Sequence, residues 1–308
     1  MFQKHNLLTV FVLFAIFILI SGCANEQKNS NKTNNNKKLE IVTTFYPMYE
    51  FTKNIVQDKA NVKLLVPSNI EPHDWEPSPK DVGSIQQADL MIYNSTYLET
   101  WVPSIEKSVN RDHLSFVEAS SGIDLMEGTE HHKHEMDPHV WLSPVLAQQE
   151  VKTITNAVIK ADPKNKTYYQ KNSDEYVAKL AQLDNNYRTA LNNVKRRELI
   201  TQHAAFGYLT KEYGIKQVPI AGLSPSQEPS PAKLGELKEF ALKHKVKTIF
   251  FEELTSPKVA ETLATEIGAK TEVLHTLEGL SKNEQEQGLN YITIMHQNLE
   301  AIKKSLDE

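Results

Sequence analysis

The chain has 308 residues, a formal net charge of −5 and 40 % hydrophobic residues. This acidic balance excludes the basic surface that nucleic-acid-binding proteins need, and no apolar run after residue 38 is long enough to cross a bilayer. Cys23 is the only cysteine, so an internal disulfide is excluded and hydrophobic packing must hold the fold together.

The first 38 residues predict export and anchoring. Residues 7–20 form an uncharged apolar run with the length of a signal-peptide core, too short for a transmembrane helix. Ser21, Gly22 and Cys23 follow and resemble the lipobox at which bacterial lipoproteins are acylated; an ordinary secretory signal with an incidental cysteine is the alternative. Residues 23–38 are almost entirely polar, which predicts a disordered tether. We therefore expect an extracytoplasmic protein, lipid-anchored to the bacterial cell membrane through Cys23.

Short β-rich runs alternate with helical patterns through the rest of the chain. Eight runs are predicted to be strands: 39–44, 61–66, 88–93, 114–118, 198–201, 216–220, 246–251 and 271–274. Several are nearly continuous apolar or β-branched runs, which is typical of strands buried on both faces. Their alternation with helices predicts βαβ units, hence an α/β fold of two lobes with mostly parallel sheets.

Two strongly periodic segments separate the two groups of strands. The first runs from Pro144 to about Ala161, where Asp162 and Pro163 stop it. The second runs from about residue 166 to 194, and a helix of that length would reach about 43 Å and join two lobes as a rigid connector. Two helices broken near residues 172–173 are the alternative. An amphipathic helix is predicted near the end, over residues 289–306.

Three histidines lie in distinctive settings. His73 is in the proline-rich stretch EPHDWEP (71–77), in a loop after a predicted strand. His139 is in DPHVWLSP (137–144), just before a predicted helix. His203 follows the run 198–201, at the strand end where open α/β sheets bind ligands. Singly, a loop histidine is more often an exposed polar residue, and a buried one is more often a hydrogen-bonded core residue.

Glu278 has the corresponding position after the last predicted strand. With His73, His139 and His203 it supplies two side chains from each half of the chain, which would meet in the cleft between the lobes. Three imidazoles and one carboxylate make a four-coordinate set well suited to Zn²⁺. We therefore predict a zinc site formed by these four residues.

A second group of histidines, His131, His132 and His134, lies in a polar segment without apolar neighbours. We interpret it as a surface loop that attracts metal weakly near the cleft mouth, with a solvated polar loop as the alternative. The next histidine lies five residues after His134 with Pro138 between them, so the HExxH motif of zinc proteases is excluded. The remaining histidines, among them His275, are interpreted as structural or surface residues.

The sequence resembles high-affinity zinc-uptake substrate-binding lipoproteins of ABC importers, a family that also includes manganese-binding relatives. The resemblance covers the chain after the tether and rests on FYPM (45–48), HDWEPSP (73–79), DPHVWLSP (137–144), HAAFGY (203–208), GLSP (222–225) and FEEL (251–254). It implies two α/β lobes joined by one long rigid helix, with the metal held between them by His73, His139 and His203. Glu278 matches the acidic ligand that relatives supply near the end of the chain.

The resemblance implies a zinc receptor, not an enzyme, that delivers Zn²⁺ to an ABC permease; we expect a monomer. The expected organisation is a signal peptide (1–22), a tether (23–38), an N-terminal lobe (39–165), a connecting helix (166–195) and a C-terminal lobe (196–308).

A manganese receptor of the same architecture is the nearest alternative, but Mn²⁺ prefers oxygen ligands and His203 favours zinc. A secreted zinc hydrolase would need an open coordination position and a placed general base, and Glu76, Glu252 and Glu253 show no catalytic spacing.

Overall fold

The computed structural model describes residues 37–128 and 135–308. The predicted signal peptide, the anchor Cys23 and the histidines His131, His132 and His134 lie outside the described residues. None of the helices within these two ranges is both long and apolar enough to span a membrane.

Two four-stranded sheets form the framework, and every strand pairing in them is parallel. The first sheet has the order β2-β1-β3-β4 and the second the order β6-β5-β7-β8. The strands are β1 (Leu39–Thr43), β2 (Ala60–Leu64), β3 (Leu90–Tyr93), β4 (Ser115–Glu118), β5 (Glu198–Thr201), β6 (Lys216–Pro219), β7 (Thr248–Phe251) and β8 (Lys270–Val273). Each lies within two residues of its predicted ends, so the predicted α/β fold with two parallel sheets is confirmed.

Helices cover the faces of both sheets. They are α1 (Tyr46–Val56), α2 (Pro79–Gln87), α3 (Val102–Ser108), α4 (Pro144–Ala161), α5 (Lys166–Leu191), α6 (Gly207–Glu212), α7 (Pro231–Lys243), α8 (Lys258–Ile267), α9 (Lys282–Glu286) and α10 (Tyr291–Asp307), with short 3₁₀ turns at Val140–Leu142, Pro163–Asn165 and Ala204–Phe206. The start of α4 illustrates the local rules: Ser143 caps it by accepting a hydrogen bond from the backbone of Leu146, and Pro144 occupies the first turn.

The long helix α5 is continuous over 26 residues, about 39 Å. The alternative of two helices broken near residues 172–173 is therefore wrong. Asn172, at the suggested break, does not interrupt the helix. Its side-chain amide donates a hydrogen bond to the carbonyl of Ile55 on α1. The helix ends at Leu191, before the predicted residue 194, and the carbonyl of Asn192 just beyond it accepts a hydrogen bond from the guanidinium of Arg197.

One hydrophobic core extends across both halves of the chain and includes the buried face of α5. Trp141, fully buried, joins the halves: its indole Nε1 donates to the carbonyl of Thr276 (2.9 Å), and its own carbonyl accepts from the hydroxyl of Tyr291 (2.5 Å). Smaller clusters fill the outer side of each sheet. Residues 38–308 thus pack as one unit, and the limits of the two lobes stay a prediction.

Candidate metal centre

The second sheet places two functional side chains at one edge. Its strand order reverses between β5 and β7, and the carboxyl ends of parallel strands at such a reversal form a natural binding crevice. His203 lies two residues beyond the end of β5, and Glu252 directly follows β7. Both side chains are buried, so the sheet itself brings an imidazole and a carboxylate together.

The other candidate ligands come from three separate segments. His73 lies in the loop between β2 and α2, His139 immediately precedes the 3₁₀ turn Val140–Leu142, and Glu278 lies in the loop between β8 and α9. His139 and Glu278 are buried, and the side chain of His73 is 9 % exposed. The site therefore opens to solvent on the side of His73.

The ligand atoms of His73, His139, His203 and Glu278 all lie within 4.8 Å of one another. The Nε2 atom of His139 is 3.1 Å from Nε2 of His73 and 3.3 Å from Nε2 of His203. Oε1 of Glu278 is 3.3 Å from Nε2 of His73, 3.6 Å from that of His139 and 3.9 Å from that of His203. A tetrahedral Zn²⁺ with bonds of about 2.0–2.1 Å separates its ligand atoms by about 3.3 Å. The donor set and its spacing therefore fit a tetrahedral zinc ion.

Two of the imidazoles are oriented by carboxylates. Oδ1 of Asp137 accepts hydrogen bonds from both the backbone N–H (2.9 Å) and Nδ1 (2.8 Å) of His139. Oε1 of Glu252 accepts in the same way from the backbone N–H (3.1 Å) and Nδ1 (2.6 Å) of His203. Since a carboxylate only accepts, each Nδ1 carries a proton, and Nε2 is the ring atom that each histidine presents to a metal.

Glu278 is held by its own loop. The hydroxyl of Thr276 donates to Oε2 of Glu278 (3.0 Å), which leaves Oε1 facing the imidazoles of His73 and His139. Leu277, directly before it, adopts a left-handed backbone conformation with φ of 59°. Such conformations are costly for residues other than glycine and concentrate at functional sites. The loop is thus shaped to direct one carboxylate oxygen at the three histidines.

Electrostatics couple these groups. Burial opposes ionisation of Glu278, but hydrogen bonds from His139 and His73 outweigh it and hold the pKa of this carboxyl well below its usual range. Burial also disfavours a protonated His139, yet hydrogen bonds to Asp137 and Glu278 raise its pKa to about 9. Burial lowers the pKa of His73. Without metal, the site therefore balances the Glu278 carboxylate with a proton on His139, and a bound cation would take the place of that proton.

Glu71 adds a second carboxyl near the cluster. Its Oε1 accepts from the backbone N–H of His73 (3.0 Å). Burial and the nearby negative charge of Glu278 raise the pKa of Glu71 to about 10, so this group is a neutral acid at pH 7. Glu71 therefore stabilises the His73 loop without adding a charge.

The sequence singled out the four clustered residues but missed Asp137, Glu252 and Thr276 as their partners. Of these three contacts, only that of Asp137 has a local signal in the sequence. An aspartate two residues before a histidine can accept a hydrogen bond from the backbone N–H of that histidine, as Asp137 does with His139. His275 contacts Glu253 (2.8 Å) and Glu284 (3.2 Å) instead of the cluster, and those contacts outweigh its burial and raise its pKa to about 9.

Comparison with protein families matches residues 41–305 to the family described as zinc-uptake complex component A, periplasmic. The chain is 61 % identical, over 317 aligned positions, to the high-affinity zinc uptake system protein ZnuA of Bacillus subtilis (strain 168). That alignment covers 99 % of both chains.

Two solved structures are similar along the same length. The metal-dependent lipoprotein YcdH of Bacillus subtilis shares 66 % sequence identity at a TM-score of 0.79, over 88 % of this chain and 100 % of that one. The Zn(II)-bound AdcA of Streptococcus pneumoniae shares 45 % identity at a TM-score of 0.79, over 88 % of this chain and 58 % of that one. The chain thus spans little more than half the length of the AdcA protein.

Proposed function

The chain belongs to the family of zinc-uptake complex component A proteins, and on this premise we propose that it is a zinc receptor that delivers Zn²⁺ to an ABC permease. The resemblance found in the sequence is confirmed by the family match. Members of the family are extracytoplasmic solute-binding components of zinc uptake, so the protein is a carrier and not an enzyme. Zinc is its cargo.

We propose that His73, His139, His203 and Glu278 are the zinc ligands. The single observation that carries this assignment is the convergence of their four ligand atoms within 4.8 Å. Three neutral imidazoles and one carboxylate also match the preferences of Zn²⁺ for nitrogen and oxygen donors in a tetrahedral arrangement. Capture would replace the proton of His139 by the metal, and release on the permease would require the four side chains to separate.

A manganese receptor is the nearest competing function. Mn²⁺ prefers oxygen ligands and binds mixed nitrogen and oxygen sites more weakly than Zn²⁺. Apart from Glu278, and from Glu71 on the backbone N–H of His73, the described acids that contact the three clustered histidines are Asp137 and Glu252, and both are hydrogen-bonded to imidazole Nδ1 atoms. They are thereby turned away from the metal position, which leaves a nitrogen-rich site that favours zinc. The contact with His203 also engages Glu252, one of the three carboxylates considered as a general base for a hydrolase.

We further propose that the protein is a monomer, anchored to the membrane by acylation of Cys23. The signal-like run before Cys23 and the polar residues after it support the lipid anchor. Cys23→Ala should then leave the protein unprocessed or shed into the medium, as followed by fractionation and immunoblotting. Normal processing with full membrane retention of the variant would contradict the anchor.

The zinc assignment is tested by the metal content of protein purified without added metal, followed by competitive titration with Zn²⁺ and Mn²⁺. We expect one tightly bound zinc per chain and a clear preference for zinc over manganese. A preference for manganese, or less than one tight equivalent of zinc, would refute the proposed function.

A further inference from the structure

The two loops that carry His73 and Glu278 touch through their backbones. Ser68 lies five residues before His73 in the loop after β2, and Gly279 directly follows Glu278 in the loop after β8. The contact is close: a Cβ added to Gly279 would overlap the carbonyl oxygen of Ser68 and lie 3.0 Å from its carbonyl carbon and 3.2 Å from Cδ1 of Leu254. The same interface holds His73 and Glu278 with 3.3 Å between Nε2 and Oε1.

This overlap cannot be relieved by rotating a side chain, because the obstructing atoms belong to the backbone of Ser68. The backbone of Gly279 does not have a positive φ, so an alanine there meets no conformational barrier of its own. Glycine is therefore required at residue 279 because the two loops approach closely there, and not because the backbone has an unusual φ angle.

The Glu278 loop has little freedom to retreat from such an overlap. The backbone N–H of His275 donates to Oδ1 of Asn298 (2.9 Å), and the indole of Trp141 donates to the carbonyl of Thr276 (2.9 Å). Leu277 is already in a left-handed conformation. A Cβ at residue 279 would accordingly push away the Ser68 segment, and with it the loop that carries His73.

A second glycine, Gly207, is in similarly close contact with a segment on the other side of the site. A Cβ added to Gly207, at the start of α6, would lie 2.8 Å from Oδ2 of Asp137 and 2.9 Å from Cε of Met126. Asp137 is the carboxylate that orients His139. The adjacent Tyr208 donates from its hydroxyl to the carbonyl of Asp137 (2.7 Å), which fixes the separation of these segments.

We propose that Gly279 and Gly207 are positioning residues that set the separation of the two halves at the metal site, Gly279 for the pair His73 and Glu278 and Gly207 for His139. The inference rests on the proposed zinc-receptor function and adds determinants of affinity that contribute no ligand atom. Gly279 has the larger effect, since a backbone must move to accommodate a side chain there, whereas Asp137 and Met126 present side-chain atoms to residue 207.

The test compares Gly279→Ala with Gly235→Ala in the full chain, by zinc titration against a chromophoric chelator. Gly235 lies within α7 of the same half, and a Cβ there meets no atom within 4 Å. Gly279→Ala should weaken zinc binding at least about tenfold, while Gly235→Ala stays within about twofold of wild type. Thermal melting of the metal-free proteins shows whether each variant is folded.

A double-mutant cycle with His73→Ala separates positioning from a general structural defect. If Gly279 acts by seating the His73 loop, Gly279→Ala should cost less than about threefold in affinity once His73 is already absent. A structural defect would cost the same in both backgrounds.

Binding by Gly279→Ala within twofold of wild type, or an equal loss with and without His73, would overturn the proposal while leaving the zinc function intact. Failure of wild type itself to bind zinc would instead refute the proposed function. If Gly279→Ala does not fold, Gly207→Ala carries the test: we expect a folded protein with zinc binding at least about threefold weaker, and unchanged binding would overturn the proposal.

Discussion

Nδ1 of His203 lies 2.6 Å from Oε1 of Glu252, across the point where strands β5 and β7 run side by side. The same oxygen accepts the backbone N–H of His203. One carboxylate thus fixes the direction of the chain after β5, the orientation of the ring and the nitrogen that carries the proton.

Glu252→Gln should weaken zinc binding by about 10- to 100-fold, because an amide oxygen is a weaker acceptor and no longer fixes the imidazole tautomer. The measurement is competitive zinc titration, with Glu261→Gln as the control at an exposed position of α8. Equal zinc affinity of Glu252→Gln and wild type would show that this carboxylate has no part in metal binding.

The sequence predicted the strands and the four converging residues well, and the hydrogen bonds around them poorly. Parallel strands buried on both faces are nearly continuous apolar runs, so β3 and β7 can be predicted from their own residues, without knowledge of the strands beside them. The contact of Glu252 with His203 joins residues 49 positions apart, and only the order of strands in the sheet creates it. The approach of Gly279 to Ser68 likewise depends on how the halves pack, which no local pattern encodes.

Glu150 is fully buried in α4, and neither of its carboxylate oxygens has a hydrogen-bond partner among the described residues. Burial, reinforced by the nearby Glu99, raises its pKa well above the usual value of 4.5. A raised pKa in the folded state makes this group stabilising below about pH 4.5, and that contribution is lost as the pH rises toward the folded pKa.

Glu150→Gln should therefore become more stable relative to wild type as the pH rises above about 4.5, by up to about 1.4 kcal/mol per pH unit until the folded pKa is passed. Urea unfolding of the metal-free proteins at several pH values measures this difference. Glu300→Gln, at an exposed position of α10, is the control. A difference that stays constant with pH would mean that Glu150 titrates normally.

Replacing His131, His132 and His134 together by Asn should leave one tight equivalent of zinc per chain. The four proposed ligands come from other segments, so only weaker, additional binding should be lost. Isothermal titration calorimetry separates the two classes of site. Loss of the tight equivalent would mean that one of these histidines is a primary ligand.

Zinc affinity should rise with pH across the neutral range. The pKa of His139 is raised to about 9, so below that pH zinc must displace a proton, and the affinity should increase about tenfold per pH unit between about pH 7 and 9. Asp137→Asn removes a partner of the protonated ring and should flatten this rise. Titrations at fixed ionic strength test both expectations, and a pH-independent wild-type affinity over this range would contradict them.

His203 decides the identity of the metal. As a third imidazole it makes the site nitrogen-rich and four-coordinate, a geometry that Zn²⁺ accepts without strain, whereas Mn²⁺ loses the oxygen ligands it prefers. His203→Ala should weaken zinc binding at least about tenfold, or about 1.4 kcal/mol, without unfolding the protein. His203→Glu supplies an oxygen ligand instead and should narrow the difference between zinc and manganese affinities. Competitive titration of both metals on wild type and the two variants measures this, and zinc binding by His203→Ala as tight as in wild type would refute the role of this residue.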